Sequence, residues 1–257
     1  MRLRDLSTTT AAADPRRWLA LTRTLDYRRR LGEASAALDL WLTQCKQPAI
    51  SCSGGKDSTV LLHLARLRDP GLLVVRADPP NPLPDRAQHV QRLQEWASGS
   101  WAVVPYPWDV EAVLSGQERY PARLKLARLQ AWARAGKVDG IALGIRSAES
   151  RQRRITLSRG LVYPTLAGIR CAPLGRWSAE MVLGHILRHE LPLNPVYTRL
   201  RGLPSHSMEH LRDGTWWPHG DDAQTQAMRP WLALHYPEIV GQYDRALMVG
   251  RGRVEEE

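Results

Sequence analysis

At 257 residues the chain suits one sizeable α/β core with an appendage, and it has no run of about 18 apolar residues that could cross a bilayer, so no membrane partner is expected. Its net charge of +10 comes mostly from arginine and predicts phosphate-rich partners, either nucleotides or a nucleic acid, unless it is simply a solvated basic face. Three cysteines (Cys45, Cys52, Cys171) without a C-x-x-C pair argue against a disulfide framework and for a reducing cytoplasm, and no secretory leader is expected behind Arg2 and Arg4.

In chain order, residues 1–14 are polar and expected to be poorly ordered, and 15–45 read as helix through Trp18, Leu21, Leu25, Leu38 and Trp41. Gln47 to Cys52 is short, apolar and bounded by proline, the pattern of a buried strand. From Asp57 to Leu67, Val60, Leu61, Leu64 and Leu67 recur at helical spacing. "GLLVVRAD" (71–78) predicts a second strand ending in Asp78, and Pro79, Pro80, Pro82 and Pro84 then forbid a helix. A helix over 85–97, a strand over 101–107, a basic helix over about 121–136 and a strand over 138–145 follow. One more short strand is expected within 160–174, then a helix over 178–190 capped by Ser178. Strands alternating with helices imply a parallel sheet covered on both faces. Residues 200–224 read as loop or lid, and 225–248, with Trp231, Leu232 and Ile239, as closing helices. The expected organisation is an N-terminal helical region (1–45), an α/β domain (46–200) and a C-terminal lid with helices (201–257).

Two segments carry chemistry. "ISCSGGKDSTVLLHLARLRD" (50–69) is not a Walker A loop, because Ile50 stands where that loop needs glycine and Asp57 follows Lys56. Ser53-Gly54-Gly55 nonetheless turns a strand into a helix, where free N–H groups and the helix dipole favour an anion and the glycines permit its close approach. The plainer alternative is a tight strand-to-helix turn without a ligand. "GIRSAESRQRR" (144–154) begins where the fourth strand ends, so it can face the same crevice. Arg146, Arg151, Arg153 and Arg154 supply guanidinium groups able to clamp phosphate oxygens, and Glu149 can either orient one of them or help hold magnesium.

The loop Ser53–Ser58, "GIRSAES" with Arg153 beyond it, and "APLGRWSAEMVLGHILRHELPLNPVY" (172–197) together resemble the phosphoadenosine phosphosulfate (PAPS) reductase family of PP-loop ATP pyrophosphatases, over roughly residues 30 to 200. The resemblance implies a Rossmann-like, adenine nucleotide alpha-hydrolase-like fold and binding of ATP or a similar adenine nucleotide, with cleavage between the α and β phosphates. On that footing Ser53, Gly54, Gly55, Lys56 and Ser58 would cradle phosphate, Lys56 would neutralise the leaving charge, and Asp57 would hold Mg²⁺ directly or through water. Arg146 and Arg153 would clamp phosphate or an anionic second substrate, with Gly144, Glu149 and Ser150 beside them and Asp78 bordering the adenosine. Asp57→Ala is then expected to abolish turnover and leave the fold intact. The family's C-terminal Glu-Cys-Gly-Leu-His tail is missing, since the chain reads "RGRVEEE" and has no cysteine after Cys171. Thioredoxin-dependent reduction by its own cysteines and an intrachain iron–sulfur cluster are therefore not expected. His185 with His189, and His206 with His210, stand at i, i+4, a spacing open either to zinc or to ordinary helix and lid histidines. The leading function is adenylyl transfer with pyrophosphate release to sulfate, a nucleic-acid group or another oxyanion. The alternative is a nucleotide-sensing subunit, without turnover, of a nucleic-acid-associated defence or mobile-element complex.

Overall fold

The computed structural model describes residues 14–78, 83, 85–105, 107, 109, 112, 124–136, 138–199, 223–242 and 244–245. The expected disorder of 1–13, the proline-rich link at 79–82, the start of the basic helix at 121–123 and the lid with His206 and His210 lie outside these residues.

The N-terminal region is two helices, not the single one expected. Helix α1 (Pro15–Leu21) starts on Asp14, whose carboxylate accepts the Arg16 N–H. It stops because the Thr22 and Thr24 hydroxyls donate to the Leu19 and Leu21 carbonyls, a local competition with helical bonding. Thr24 then caps α2 (Leu25–Gln44) by accepting the Tyr27 N–H.

The α/β part runs β1 (Pro48–Ser51), α3 (Lys56–Arg66), β2 (Leu73–Asp78), α4 (Asp85–Ala97), β3 (Trp101–Pro105), α5 (Leu124–Ala135) and β4 (Gly140–Leu143). A 3-10 turn (Ser147–Glu149), α6 (Arg151–Leu157), β5 (Val162–Thr165), β6 (Gly168–Cys171) and α7 (Ala179–Arg188) follow. After a 3-10 turn at Pro195–Thr198 comes α8 (Ala223–His235). The six strands form one sheet in the order β3-β2-β1-β4-β6-β5. Every neighbouring pair is parallel except β5 with β6. The segment 160–174 thus holds a hairpin where a single strand was expected. Its turn is Leu166-Ala167, where the Thr165 hydroxyl accepts the Ala167 N–H and donates to the Gly168 carbonyl. Two strands joined by so short a turn must run antiparallel, so the outer β5 opposes β6.

Alternation along the strands sorts the core into two layers. Ile50, Val74 and Ala142 face one way, against Leu38 and Trp41 of α2, Val60 and Leu61 of α3, Leu93 of α4 and Val182 of α7. Their neighbours Ala49, Val75 and Ile141 face the other way, against Ala133 of α5 and Val104 of β3. Helices cover both faces, as the alternating pattern predicted. Each fully buried Leu, Ile or Val contributes about 1.5–3 kcal/mol relative to exposure. Ser178 caps α7 by accepting the Met181 N–H.

Candidate functional site

The chain leaves β1 toward β2 and β3 on one side, whereas β4, β6 and β5 lie on the other. The carboxyl ends of β1 and β4 are adjacent, with Ser51 opposite Leu143. This is the point where strand order reverses, the position at which open α/β sheets form a ligand crevice. One wall is the Ser53–Gly55 turn into α3; the other is Gly144–Arg153.

Gly54 sits at φ 86°, a conformation L side chains rarely adopt, while a Cβ there would find only ordinary contacts with His89 and Val90 at 3.6 Å. Backbone geometry, not space, demands glycine here. Gly55 caps α3 without a side-chain bond, so the helix's first N–H groups are not closed off by a capping oxygen of residue 55. The Ser53 and Ser58 hydroxyls lie 3.3 Å apart; Ser53 also accepts the Gly55 N–H at 3.3 Å, and Ser58 donates to the Gly55 carbonyl at 3.0 Å.

Gly144 serves packing. A Cβ on it would lie 2.8 Å from the Ser58 nitrogen and 2.9 Å from the Asp57 carbonyl carbon, both rigid backbone. The glycine lets the end of β4 touch the first turn of α3. Gly144→Ala should cost about 1–3 kcal/mol by overpacking, read as a lower denaturation midpoint at unchanged m.

The charged residues do meet. Asp57 Oδ2 accepts from Lys56 Nζ at 3.0 Å and Oδ1 from Arg146 Nε at 2.5 Å, and the Lys56 and Arg146 side chains are completely buried. The Lys56 ammonium also lies 5.5 Å from the ring centre of Tyr197, in the Asn-Pro-x-Tyr segment. Burial pushes the Lys56 ammonium down against the pull of Asp57. Burial would raise the Asp57 carboxyl, but the Lys56 and Arg146 charges outweigh it and hold the group below the usual carboxylate range. Glu149 accepts the Arg146 backbone N–H at 2.8 Å and pairs with Arg153, so it orients an arginine, one of its two expected roles. Ser150 caps α6 by accepting the Arg153 N–H. Arg153 is the more open of the two expected clamps, with 29% of its side chain exposed. Asp78 lies at the tip of β2, paired with Arg76 at 2.5 Å.

For magnesium, Asp57 is a poor fit as a direct ligand. Each of its carboxylate oxygens already faces a cation, and a divalent ion would have to displace Lys56 or Arg146 from a buried site. Among the described residues no group of three or more His, Cys, Asp or Glu could hold a metal ion.

Sequence reasoning missed His89, Tyr197 and His63. His89 Nε2 lies 2.9 Å from the Gly54 carbonyl. The available signal was its place on the inward stripe of α4, with Arg86, Val90, Leu93 and Ala97. His63 of α3 joins His185 and His189 of α7, with ring centres 4.3–5.1 Å apart. His63 Nδ1 and His185 Nε2 share a hydrogen bond of 2.9 Å, and the Tyr27 hydroxyl lies 2.6 Å from His185 Nδ1. The i, i+4 pair is thus part of a packed, hydrogen-bonded cluster joining α2, α3 and α7.

No curated protein matches the sequence. Among solved structures, phosphoadenylyl-sulfate (PAPS) reductase from Candida auris, a phosphate complex, is similar with a TM-score of 0.51 at 12% identity, over 64% of this chain and 83% of that one. FMN adenylyltransferase from Candida glabrata, in complex with FAD and inorganic pyrophosphate, gives a TM-score of 0.50 at 16% identity, over 71% of this chain and 67% of that one. Both share the mostly parallel, helix-covered sheet. The sequence profile of the phosphoadenosine phosphosulfate reductase domain matches residues 47–202, which span both walls of the crevice and the Asn-Pro-x-Tyr segment. The chain belongs to the phosphoadenosine phosphosulfate reductase family, with the adenine nucleotide alpha-hydrolase-like fold.

Proposed function

We propose that the chain binds ATP across the β1–β4 crevice and cleaves it between the α and β phosphates, transferring the adenylyl group to an acceptor and releasing pyrophosphate. The observation that carries this reading is the start of α3, where Gly55 offers no capping oxygen, behind a glycine at φ 86° and at the strand-order reversal. Backbone N–H groups of Gly54, Gly55 and Lys56, with the Ser53 and Ser58 hydroxyls, are placed to receive the leaving pyrophosphate. Donors fixed in advance stabilise charge developing on that group without reorganisation. Lys56, Arg146 and Arg153 carry three positive charges against the two of Asp57 and Glu149, a net +1 that favours an anion. Lys56 and Arg146 act on phosphate from below, through their field, and Arg153 by contact. The ribose and base extend toward Asp78, and Gly144 and Ser150 shape the far wall. Magnesium would arrive with the nucleotide phosphates, with Asp57 near it through water and not as a direct ligand.

The acceptor is an oxyanion such as sulfate or a group on a nucleic acid. The exposed Arg128 and Arg134 of α5 and the arginines of α2 suit phosphate-bearing partners. Burial pushes the Cys45 thiol up to about 11 and raises that of Cys171 further, which disfavours a thiolate at either.

The test is calorimetry with ATP and with inorganic pyrophosphate, followed by a pyrophosphate-release assay over candidate acceptors. Ligand at about 100 times its Kd should stabilise the protein by about 2.7 kcal/mol. Arg153→Ala should weaken ATP binding about tenfold, the value of one charge-assisted contact, and should also lower the ligand-free Tm because the buried Glu149 loses its partner, so affinity is compared below that Tm. Folded wild-type protein that binds neither ligand would sink the reading.

One observation favours a second reading, a nucleotide-sensing subunit without turnover. Lys56 and Arg146, the two cations beneath the loop, are engaged with Asp57 and wholly buried. Tight ATP binding without pyrophosphate release for any acceptor would select it.

A further inference from the structure

We propose that His89 is the positioning residue that sets the phosphate loop, by anchoring the Gly54 carbonyl so that the Gly55 N–H is aimed at the bound phosphate. This deepens the nucleotide reading above and rests on it. A Gly-Gly peptide is the least determined unit of a backbone, because both residues tolerate either sign of φ and the peptide plane between them can turn over. Two orientations are open to the plane between Gly54 and Gly55. One presents an N–H to the crevice, and the other presents a carbonyl oxygen that would repel phosphate.

His89 selects between them. Its Nε2 lies 2.9 Å from the Gly54 oxygen in a buried contact. A carbonyl can only accept, so Nε2 carries the proton and the tautomer is fixed by its partner. In a planar trans peptide the C=O and the following N–H point in opposite directions. Drawing the Gly54 carbonyl toward α4 therefore turns the Gly55 N–H away from α4. That N–H meets the Ser53 hydroxyl at 3.3 Å, longer than the usual 2.9–3.0 Å, so a phosphate oxygen can replace the hydroxyl at little cost. The imidazole is itself held, with 2% exposure, on the inward stripe of α4 beside Val90 and Leu93. Its Cδ2 stands 3.6 Å from the place a Gly54 side chain would occupy, so the ring also braces the turn.

The test compares wild type, His89→Phe and His89→Gln, using inorganic pyrophosphate and ATP as titrants and Tm as the measure of fold. Phenylalanine keeps a ring and loses the donor; it should raise the pyrophosphate Kd tenfold or more. Glutamine can donate to the same carbonyl and should restore affinity to within about threefold of wild type, a rescue that packing alone would not produce. On isotope-labelled wild-type protein, the Gly55 amide proton should move downfield as pyrophosphate saturates the site, a measurement that stands even where His89→Phe does not fold. Pyrophosphate affinity within twofold of wild type in His89→Phe, or a Gly55 amide that does not move, overturns the proposal. Wild-type protein that binds neither titrant overturns the nucleotide reading and this inference together, whereas normal binding with an indifferent His89→Phe removes the inference alone.

Discussion

Asp57→Asn is expected to lower stability by about 3–5 kcal/mol. The substitution keeps the shape and removes the one charge shared by Lys56 and Arg146, leaving two buried cations to face each other. For a chain of this size that is a fall in Tm on the order of 10 °C. Lys56→Met is the informative contrast. It leaves Asp57 neutralised by Arg146, so its stability cost should be far smaller, while the charge beneath the loop drops and pyrophosphate binding weakens. Thermal melts and pyrophosphate titrations of the two variants check both halves. Equal stability of Asp57→Asn and wild type would mean that the buried triad contributes nothing. Read from sequence, loss of Asp57 was an activity change with the fold intact; the ion pairs make it a stability change as well.

The second large effect is acid lability. His185 is buried against Tyr27, Trp177, His189 and Arg188, and the half-buried His63 packs on His185 and His189 with Trp96 of α4 beside it. Burial first, and neighbouring positive charge second, pull His63 down to about 4 and His185 to about 2. Both folded-state values lie below the unfolded value near 6.5, so between these limits the unfolded chain binds more protons. The stability contributed is complete above pH 6.5 and is lost progressively as pH falls through 6 and 5 toward 4. The loss should reach roughly 2–4 kcal/mol, most of it from His185, because His63 is only half buried and screened by water. His185→Gln should flatten the pH dependence of Tm between 6.5 and 4.5. An unchanged slope in that variant would place the acid-sensitive group elsewhere.

Which parts of this architecture could be read from sequence follows from how local their causes are. The glycine loop and the helix after it are set by neighbours in the chain: Gly54 and Gly55 for the turn, and Val60, Leu61 and Leu64 for the buried face. The same holds for α4, whose bounds were legible, and for the Ser178 cap. The meeting of the two walls was legible too, because alternating strands and helices leave few topologies. What pairs with what inside the crevice was not. Asp57 looks like a metal ligand in one dimension and becomes the partner of Arg146 only when β4 lies beside β1. His89 and His63 carry no mark in the sequence beyond their helical face, since their partners are 35 and 122 residues away. The break at Thr22–Thr24 was visible in principle, in two hydroxyl residues just ahead of Leu25, but the apolar residues on either side masked it.

The register that places Ile50 beside Ala142 has a consequence for synthesis of the chain. β1 can pair with β2 once the single crossover through α3 has formed, but its other edge waits for β4, about ninety residues later, and closure entropy grows with that separation. Contacts so distant in sequence form late. A nascent chain that has emerged only as far as β3 therefore displays the glycine loop on an open strand edge, with no opposite wall and without Arg146, the second partner of Asp57. On the proposed reading, competence to hold a nucleotide waits for β4, so ligand capture would report that the two walls of the crevice have met and not merely that the loop is exposed.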